Sequence, residues 1–288
     1  MAFERIVVFG AGTMGHGIAQ VCAAAGYTVV LSDVDEARVG AGLARVRKNL
    51  DVGVEKGKVS AEDRADTLSR LSGAAFGEDQ GIAAARGADL VIEAIPERLE
   101  LKQGLFRGLQ GAVAKGAVFA TNTSSLSVSA IGEALDDPSR VIGTHFFNPV
   151  FVMKLLELVA TPQTAPEVIA DVQAFGARIG KECILVKDSP GFATSRLGVA
   201  LGMEAIRMLE EGVASAADID KAMELGYRHP MGPLRLTDLV GLDVRLAIGE
   251  YLASKLGNPA FEPPALMREM VGQGKLGQKS GQGFYRWG

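Results

Sequence analysis

The fold of the first half of the chain is decided by the segment RIVVFGAGTMG, residues Arg5–Gly15. Its first five residues, Arg5–Phe9, form an apolar run rich in β-branched residues, which is typical of a buried strand in a parallel sheet. The glycine-rich turn that follows opens a helical stretch, Ile18–Ala25. A second strand, Thr28–Ser32, ends at Asp33. The sequence therefore predicts a strand–helix–strand unit within about 30 residues.

Short apolar runs continue to alternate with helical stretches as far as residue 187. Helical spacing extends over Glu36–Leu71 and Leu99–Gln110, and the runs between and after them are predicted strands. Such alternation predicts an α/β fold with a mostly parallel, doubly wound sheet of the Rossmann type. The predicted strands are Ala88–Ala94, Val118–Thr121, Val141–Thr144, Lys154–Val159 and Cys183–Val186.

The character of the sequence changes at the turn cluster Asp188–Gly191. We therefore predict a nucleotide-binding domain over residues 1–187 and an all-helical C-terminal domain over 188–288. The predicted helices there are Ala193–Glu211, a second one that starts with a capping box at Ser215, and Leu234–Leu256 with a break at Gly241.

Composition excludes several classes of protein. The 288 residues carry 30 Lys and Arg against 34 Asp and Glu, a net charge of −4, which argues against a nucleic-acid partner. Two distant cysteines, Cys22 and Cys183, form neither a disulfide framework nor a metal motif. No apolar run approaches the ~18 residues of a membrane span, and no signal peptide is visible. We expect a soluble, cytoplasmic protein without a metal or a membrane partner.

The glycine-rich turn has the spacing of a dinucleotide site. Gly10 permits a tight turn, Gly12 lets the backbone approach a pyrophosphate, and Gly15 allows close packing of the helix on the sheet. Asp33 lies 18 positions after Gly15 and can accept hydrogen bonds from a ribose 2′-hydroxyl, which favours NAD over NADP. The alternative is a structural turn beside a surface aspartate.

His145 is the candidate general base, because it ends a strand-like run and strand carboxyl ends face the ligand crevice in such folds. Glu157 interrupts the apolar strand LLELV twelve residues later, and a buried carboxylate needs a partner. A His145–Glu157 pair would meet that need. In the alternative, Glu157 faces solvent at a strand edge and His145 is an ordinary core residue.

Five small polar residues, Thr121–Ser125, follow the strand that begins at Val118. They suit a polar cleft at the carboxyl end of the strand. By composition alone, a Ser/Thr-rich helix cap is the more common structure for such a run.

The chain as a whole resembles the 3-hydroxyacyl-CoA dehydrogenases. The motif HFFNPV, together with the glutamate of the strand that follows it, is far more specific for this family than the glycine turn. The matching motifs run from residue 10 to residue 285 and are GAGTMGHGIAQ, VIEAIPE, NTSSL, HFFNPVFVMKLLELV, DSPGF, PMGP and GQGFY.

This resemblance implies catalytic roles for four residues. His145 matches the base that takes the proton of the 3-hydroxyl, and Glu157 matches the carboxylate that orients this histidine. Ser124 matches a hydroxyl that contacts substrate near the reacting carbon, and Asn148 a polar residue near nicotinamide and substrate.

The resemblance also implies binding roles. The expected cofactor contacts are Gly10, Gly12, Thr13, Met14, Gly15, Asp33, Glu97, Lys102, Asn148 and Lys279. The expected substrate contacts are Ser124, Asn49, Ser195 and Lys56, the last of which would meet the CoA phosphates. Lys56 alone would otherwise be interpreted as part of a solvated helix face. Ser195 stands where the family commonly has Asn, and its hydroxyl offers one hydrogen-bond donor in place of the two of an amide.

The implied activity is reversible NAD-dependent oxidation of (S)-3-hydroxyacyl-CoA, with 3-hydroxybutyryl-CoA and acetoacetyl-CoA as the expected pair, in fatty acid and butanoate metabolism. The C-terminal domain is expected to contribute to the substrate cleft and to form a homodimer interface. Two alternatives remain open: a dehydrogenase of a free hydroxy acid or sugar acid on the same fold, and a non-catalytic NAD-binding protein.

Overall fold

The computed structural model of the protein describes residues 3–76 and 81–288. The chain divides into two compact units, one ending at Asp188 and the other covering Ser189–Gly288. The first unit carries a sheet with helices, and the second is built from helices. The predicted fold class is thus confirmed.

Within the described residues, eight strands form a single sheet in the order β3-β2-β1-β4-β5-β6-β7-β8. Neighbouring strands are parallel except β6 and β7, which are antiparallel. The strands are β1 (Arg5–Phe9), β2 (Thr28–Asp33), β3 (Leu71–Ala75), β4 (Leu90–Glu93), β5 (Val118–Thr121), β6 (Val141–Phe146), β7 (Leu155–Ala160) and β8 (Glu182–Lys187).

The central strand β1 has a continuous apolar run because both of its faces are covered. Ile6, Val7, Val8 and Phe9 are fully buried. The chain winds from β1 to β2 and β3 on one side, and β4 lies on the other. Such a reversal of strand order leaves a crevice at the carboxyl ends of the two central strands, where ligands bind in open α/β sheets.

The first unit has two helices, α2 and α3, in the region Glu36–Leu71, which the sequence predicted as one helical stretch. Asp35 caps the first of them through a hydrogen bond from the Arg38 N–H, and Ser60 caps the second through the Asp63 N–H. The helices are α1 (Gly15–Ala24), α2 (Glu36–Glu55), α3 (Ala61–Ser69), α4 (Ile82–Ala85), α5 (Leu99–Leu109), α6 (Val128–Gly132) and α7 (Pro166–Arg178).

The edge strand β3 is absent from the sequence-based prediction, which ended a helical region at about Leu71. Its sequence, LSGAA, lacks the β-branched residues that mark strands. The structure shows why small residues are needed there: a Cβ on Gly73 would lie 2.4 Å from a Val39 methyl carbon of α2. Close packing of α2 therefore selects residues that give a weak strand signal.

The second unit consists mainly of helices, the first of which begins at Thr194. Ser215 accepts a hydrogen bond from the Asp218 N–H at the start of α9, as predicted, and Gly241 separates α10 from α11 with a φ of +105°. The helices are α8 (Thr194–Glu210), α9 (Ala216–Lys221) with a π-helical turn after it (Ala222–Gly226), α10 (Pro233–Val240), α11 (Leu242–Leu256) and α12 (Ala265–Gly272).

In the ranges 3–76 and 81–288, no helix combines the length and the apolar character that crossing a membrane requires.

Candidate active site

The glycine turn after β1 packs so closely that two of its positions exclude any side chain. Gly10 has a φ of +98°, and a Cβ there would lie 2.4 Å from the Ala94 carbonyl oxygen. A Cβ on Gly15 would lie 1.6 Å from the Gly10 carbonyl oxygen. These contacts bring the start of α1 against the end of the sheet.

Gly12 differs from its neighbours because a Cβ there would meet nothing within 4 Å. The space in front of it is open, and the N-cap residue of α1, Met14, makes no side-chain capping bond. Uncapped N–H groups at a helix N-terminus attract phosphate. The turn, with Thr13 exposed at its tip, therefore fits the pyrophosphate of a dinucleotide.

Asp33 lies at the end of β2 beside this turn. Its Oδ2 accepts a hydrogen bond of 2.7 Å from the Ala11 N–H, and its Oδ1 accepts one of 2.7 Å from the Val34 N–H. These two donors hold the carboxylate in place, and each oxygen keeps a further lone pair. The arrangement suits acceptance of a ribose hydroxyl and disfavours a 2′-phosphate, as expected for NAD.

His145 and Glu157 are directly opposite each other in the antiparallel register of β6 and β7. Side chains at such positions share a face of the sheet. The His145 Nδ1 lies 2.7 Å from the Glu157 Oε2, and the Glu157 side chain is fully buried. A solvent-exposed Glu157, the alternative considered from sequence, is thereby excluded.

The pair defines the chemical state of the imidazole. Because a carboxylate can only accept a hydrogen bond, the Nδ1 of His145 carries the proton and Nε2 is the basic nitrogen. His145 is 5% exposed, and its ring lies 4.5 Å from that of Phe147, centroid to centroid. The arrangement can accept a proton at Nε2 while Glu157 stabilises the resulting imidazolium.

A second buried carboxylate, Glu93, ends the neighbouring strand β4. Its Oε1 accepts hydrogen bonds from the Lys102 Nζ at 2.6 Å and the Ile95 N–H at 2.8 Å, and its Oε2 accepts one from the Thr121 Oγ1 at 2.6 Å. Burial raises the pKa of Glu93, and these donors oppose that shift. Sequence reasoning missed Glu93, although the rule that singled out Glu157, a carboxylate in an apolar strand, applies to it equally.

Glu97 connects this cluster to Ser124. Its Oε1 accepts hydrogen bonds from the Thr123 hydroxyl at 2.5 Å and the Ser124 N–H at 2.9 Å, and its Oε2 lies 3.2 Å from the Lys102 Nζ. Burial raises the pKa of Glu97, but the Lys102 charge and these hydrogen bonds outweigh it, so the pKa lies below the usual value. The described structure thus uses Glu97 to orient the segment that carries Ser124.

The polar run Thr121–Ser125 is therefore not the cap of the helix that follows. The N-cap of α6 is Ser127, whose side chain accepts a hydrogen bond from the Ala130 N–H. Thr121 and Thr123 direct their hydroxyls to Glu93 and Glu97 instead. The run lies at the carboxyl end of β5, between those of β4 and β6.

Two further residues, Asn122 of the polar run and Lys181, support the His145 region. The Asn122 Oδ1 accepts a 2.9 Å hydrogen bond from the Phe146 N–H and so ties the ends of β5 and β6 together. The Lys181 ammonium donates to the carbonyl oxygens of Val150 and Met153, in the loop after β6. Burial lowers the pKa of Lys181. Asn122 lies within the polar run that the sequence singled out, whereas sequence reasoning missed Lys181, because it acts only through contacts distant in sequence.

A groove of about 1040 Å³ lies elsewhere on the first unit and contains Asn49 and Lys56. Asn49 donates a 3.0 Å hydrogen bond to the Gln20 Oε1, and Lys56 is exposed at the end of α2. Four basic residues and two acidic ones line this groove, so its charge suits an anion. They are Lys56, Lys58, Arg70, Arg178, Asp63 and Asp66.

The remaining predicted site residues are distributed between the two units. Asn148 is exposed in the loop after β6. Ser195 is the second residue of α8 and half-buried, and Lys279 pairs with Asp243 through an Nζ–Oδ1 distance of 2.6 Å. Asn148 lies in the first unit, and Ser195 and Lys279 lie in the second. Lys102 is fully buried in its ion pairs with Glu93 and Glu97.

Comparisons with known proteins agree along the whole chain. Residues 5–189 match the family model of the 3-hydroxyacyl-CoA dehydrogenase NAD binding domain, and residues 191–287 match that of the 3-hydroxyacyl-CoA dehydrogenase C-terminal domain. The NAD binding model identifies NAD as the cofactor, in agreement with Asp33 and the open space at Gly12.

Individual relatives give the same result. The chain is 42% identical to a probable 3-hydroxybutyryl-CoA dehydrogenase of Bacillus subtilis, over 99% of this chain and 98% of the relative. It is 40% identical to the human mitochondrial hydroxyacyl-coenzyme A dehydrogenase, over 99% and 91%. The crystal structure of an (S)-3-hydroxybutyryl-CoA dehydrogenase from Ralstonia eutropha superposes with a TM-score of 0.94 at 40% identity and covers 100% of both chains. The chain therefore belongs to the 3-hydroxyacyl-CoA dehydrogenase family of NAD-dependent oxidoreductases.

Proposed function

We propose that this protein catalyses the reversible oxidation of (S)-3-hydroxybutyryl-CoA to acetoacetyl-CoA. The observation that carries the proposal is the buried His145–Glu157 pair, with 2.7 Å between Nδ1 and Oε2. A histidine so oriented is a general base for an alcohol, and the names of the relatives supply the acyl-CoA class of the substrate.

In the proposed mechanism the Nε2 of His145 accepts the proton of the substrate 3-hydroxyl. The C3–H bond breaks as the C3 carbonyl forms, and the hydride acceptor would be supplied by NAD held at the glycine turn and Asp33. Glu157 remains ionised and stabilises the imidazolium that His145 becomes. In the reverse direction the imidazolium returns the proton to the 3-oxo oxygen.

Ser124 and Asn148 are proposed to orient the reacting end of the substrate. Ser124 is suited to this because Glu97 accepts a hydrogen bond from its backbone N–H and so sets its position. Lys102 is fully buried in its ion pairs with Glu93 and Glu97. We therefore propose that it supports the cofactor site by holding these two carboxylates in position. NAD is proposed to be held by residues of the first unit, namely Gly10, Gly12, Thr13, Met14, Gly15 and Asp33.

The groove that contains Lys56 and Asn49 is proposed to receive the phosphates of CoA. Its excess of basic side chains supports an anionic ligand, and its volume is that of a pocket for a cofactor-sized molecule. Lys56 is exposed there and its ammonium is a flexible point charge suited to a phosphate.

We further propose that the protein is a cytoplasmic homodimer that acts in fatty acid and butanoate metabolism. The two cysteines are free, with Cys22 buried, which fits a reducing compartment. The metabolic role rests on the names of the relatives.

The test of the activity is the loss of NADH absorbance with acetoacetyl-CoA, run beside free acetoacetate and beside NADPH. We expect fast oxidation with the thioester and NADH only. Turnover of free acetoacetate without turnover of the thioester would point to a free-acid dehydrogenase. NADH binding without turnover of either compound would point to a non-catalytic protein.

A further inference from the structure

Arg178, the last residue of α7, lines the groove that contains Lys56 and holds its guanidinium over a buried aromatic ring. Its Cζ lies 4.2 Å from the centroid of the Tyr27 ring, and Tyr27 is 3% exposed. Its Nε donates a 3.2 Å hydrogen bond to the Ala25 carbonyl oxygen, directly after α1. The ring and the hydrogen bond together fix the plane of the guanidinium, although Arg178 itself is exposed.

The turn before Tyr27 leaves one end of this guanidinium uncovered. Gly26 has a φ of +92°, a conformation that favours glycine. A Cβ at Gly26 would lie 3.4 Å from the Arg178 Nη2, so that a longer side chain there could cover this nitrogen. The two terminal nitrogens of the fork are therefore left for a ligand, while Nε is used by the Ala25 carbonyl group.

Most of the positive charge of the groove is not neutralised by the protein. Of its four basic residues, Arg70 pairs with Asp66 at 3.5 Å. No ion pair is found for Arg178, Lys56 or Lys58 within residues 3–76 and 81–288. Three cations thus remain for an anionic ligand, and only Arg178 among them has the planar fork that matches phosphate oxygens in two parallel hydrogen bonds.

An aromatic side chain lines the same groove. Phe151, in the loop after β6, is 44% exposed, and its neighbour Val152 is 61% exposed. A nucleobase can stack on an exposed aromatic ring, while nearby cations hold the phosphates of the nucleotide. The groove therefore combines the two kinds of contact that a phosphorylated adenosine requires.

We propose that Arg178 binds the 3′-phosphate of the CoA moiety, so that the enzyme selects CoA thioesters over thioesters of carriers that lack this phosphate. The inference rests on the proposed function, which assigns this groove to CoA. The 3′-phosphate is a monoester with a charge of about −1.5 to −2 at pH 7, whereas each phosphate of the CoA diphosphate carries a single negative charge. It is therefore the group of CoA that a fixed guanidinium attracts most strongly.

The first test compares acetoacetyl-CoA with acetoacetyl-dephospho-CoA, which lacks only the 3′-phosphate, as substrates with NADH. We expect kcat/KM of the wild type to favour acetoacetyl-CoA by about tenfold, the lower end for a charge-assisted contact, because the site is exposed. Arg178→Met, of similar length and without charge, should bring this ratio close to one. The loss should lie in KM, because the phosphate is remote from the reacting carbon.

Arg107→Met is the matched control. Like Arg178, Arg107 is an exposed arginine in the last turn of a helix of the first unit, but it does not line the groove. Its ratio should equal that of the wild type. Both substrates are measured on the same preparation, so a partial loss of folded protein in any variant cancels in the ratio. A wild-type ratio of one, or a ratio that Arg178→Met leaves unchanged, would overturn the inference.

The second test measures binding without turnover. Isothermal titration calorimetry compares adenosine 3′,5′-bisphosphate with AMP, which lacks only the 3′-phosphate, at saturating NADH so that the dinucleotide site is filled. We expect the bisphosphate to bind the wild type about tenfold more tightly, and Arg178→Met to lose this preference. Equal affinities in the wild type, or no binding of the bisphosphate, would overturn the inference.

The two tests also separate the inference from the proposed function. A wild-type protein that does not turn over acetoacetyl-CoA would reject the proposed function. The calorimetric preference for the bisphosphate, and its loss in Arg178→Met, would still decide whether Arg178 binds a 3′-phosphate.

Discussion

At the scale of single residues, the sheet carries two buried carboxylates with different partners. Glu93 pairs with the ammonium of Lys102, whereas Glu157 pairs with the imidazole of His145, the side-chain type that most often transfers protons in enzymes. A fixed ion pair holds structure. A pair whose charge can appear and disappear suits proton transfer, and this difference separates the two otherwise similar sites.

Replacement of His145 by alanine tests the chemical assignment directly. His145→Ala should lower kcat by roughly two to four orders of magnitude, the range of positioned acid–base groups. NADH affinity, measured by fluorescence titration, should barely change, because the glycine turn and Asp33 are untouched. Glu157→Gln should lower kcat in the same direction, since the amide keeps the shape but not the charge. An unchanged kcat in His145→Ala would remove this residue from the mechanism.

Glu97 leads to a pH-dependent prediction. Its folded pKa lies below the usual value of 4.5, so the ionised form stabilises the fold above that value, and the stabilisation is lost as pH falls through the lower folded pKa. Glu97→Gln should therefore have a smaller free energy of unfolding than the wild type at pH 7, measured with urea. The difference should shrink below pH 4.5.

Glu100→Gln, on the exposed surface of α5, is the matched control. It should follow the wild type at both pH values. A difference between Glu97→Gln and the wild type that stays constant from neutral to acidic pH would show that the carboxylate charge does not stabilise the fold.

At the scale of elements, the glycines of the turn between β1 and α1 differ in what surrounds them. Gly10 and Gly15 have no room for a Cβ, whereas Gly12 faces open space. The same motif therefore contains two glycines required by the fold and one, Gly12, at which we propose that the ligand approaches the backbone.

Two alanine variants distinguish these roles. Gly15→Ala should strongly destabilise the protein, because its Cβ would overlap the backbone carbonyl of Gly10. Gly12→Ala should unfold at a temperature close to that of the wild type and yet bind NADH more weakly, since its methyl group would occupy the space of the pyrophosphate. Differential scanning calorimetry and NADH titration measure both effects. Equal NADH affinity in Gly12→Ala and the wild type would contradict the placement of the pyrophosphate.

The loop after β6 is another feature of element scale. Lys181, which precedes β8, donates to two carbonyl groups in this loop and so anchors the chain between β6 and β7. A side chain distant in sequence thus holds the segment that follows His145. Only the parallel pairing of β7 with β8 brings Lys181 to this position.

At the scale of the whole molecule, the second unit exposes apolar side chains. Leu197 is 71% exposed, and Leu225 and Tyr227 are each 76% exposed. The other apolar residues on the face of α8 that carries Leu197 are buried or half-buried: Leu201, Ala205, Met208 and Leu209. The exposed apolar surface on α8 is therefore narrower than its whole apolar face.

The homodimer hypothesis is tested by light scattering at micromolar concentration. We expect a mass of twice the 30.2 kDa of one chain. Leu225→Glu and Tyr227→Glu should each shift the mass toward that of a single chain, because burying a carboxylate in an apolar interface is unfavourable. Lys255→Glu is a control for added negative charge on an exposed side chain of α11 and should leave the mass unchanged. A single-chain mass for the wild type would reject the hypothesis.

The sequence by itself determined the fold class; it also predicted the cofactor turn and offered the His145–Glu157 pair as one of two alternatives, which the structure decided. Each of these depends on a short pattern: apolar strands that alternate with helices, glycines at set intervals before an acidic strand end, and a carboxylate isolated in an apolar strand. Patterns of this kind can be recognised from sequence because the periodicity of apolar residues within one segment reflects which of its faces is buried. They fail for β3, where contact with α2 requires the small residues that a strand pattern lacks.

Only the tertiary structure decided how the polar groups are partnered. Glu93, Lys102 and Thr121 come from separate elements and form one buried cluster, which shows that Lys102 is an internal cation and not an exposed one. The physical reason is that the free energy of a polar side chain depends on its burial and on the partners that the fold brings to it. A local stretch of sequence predicts neither the burial nor the partners.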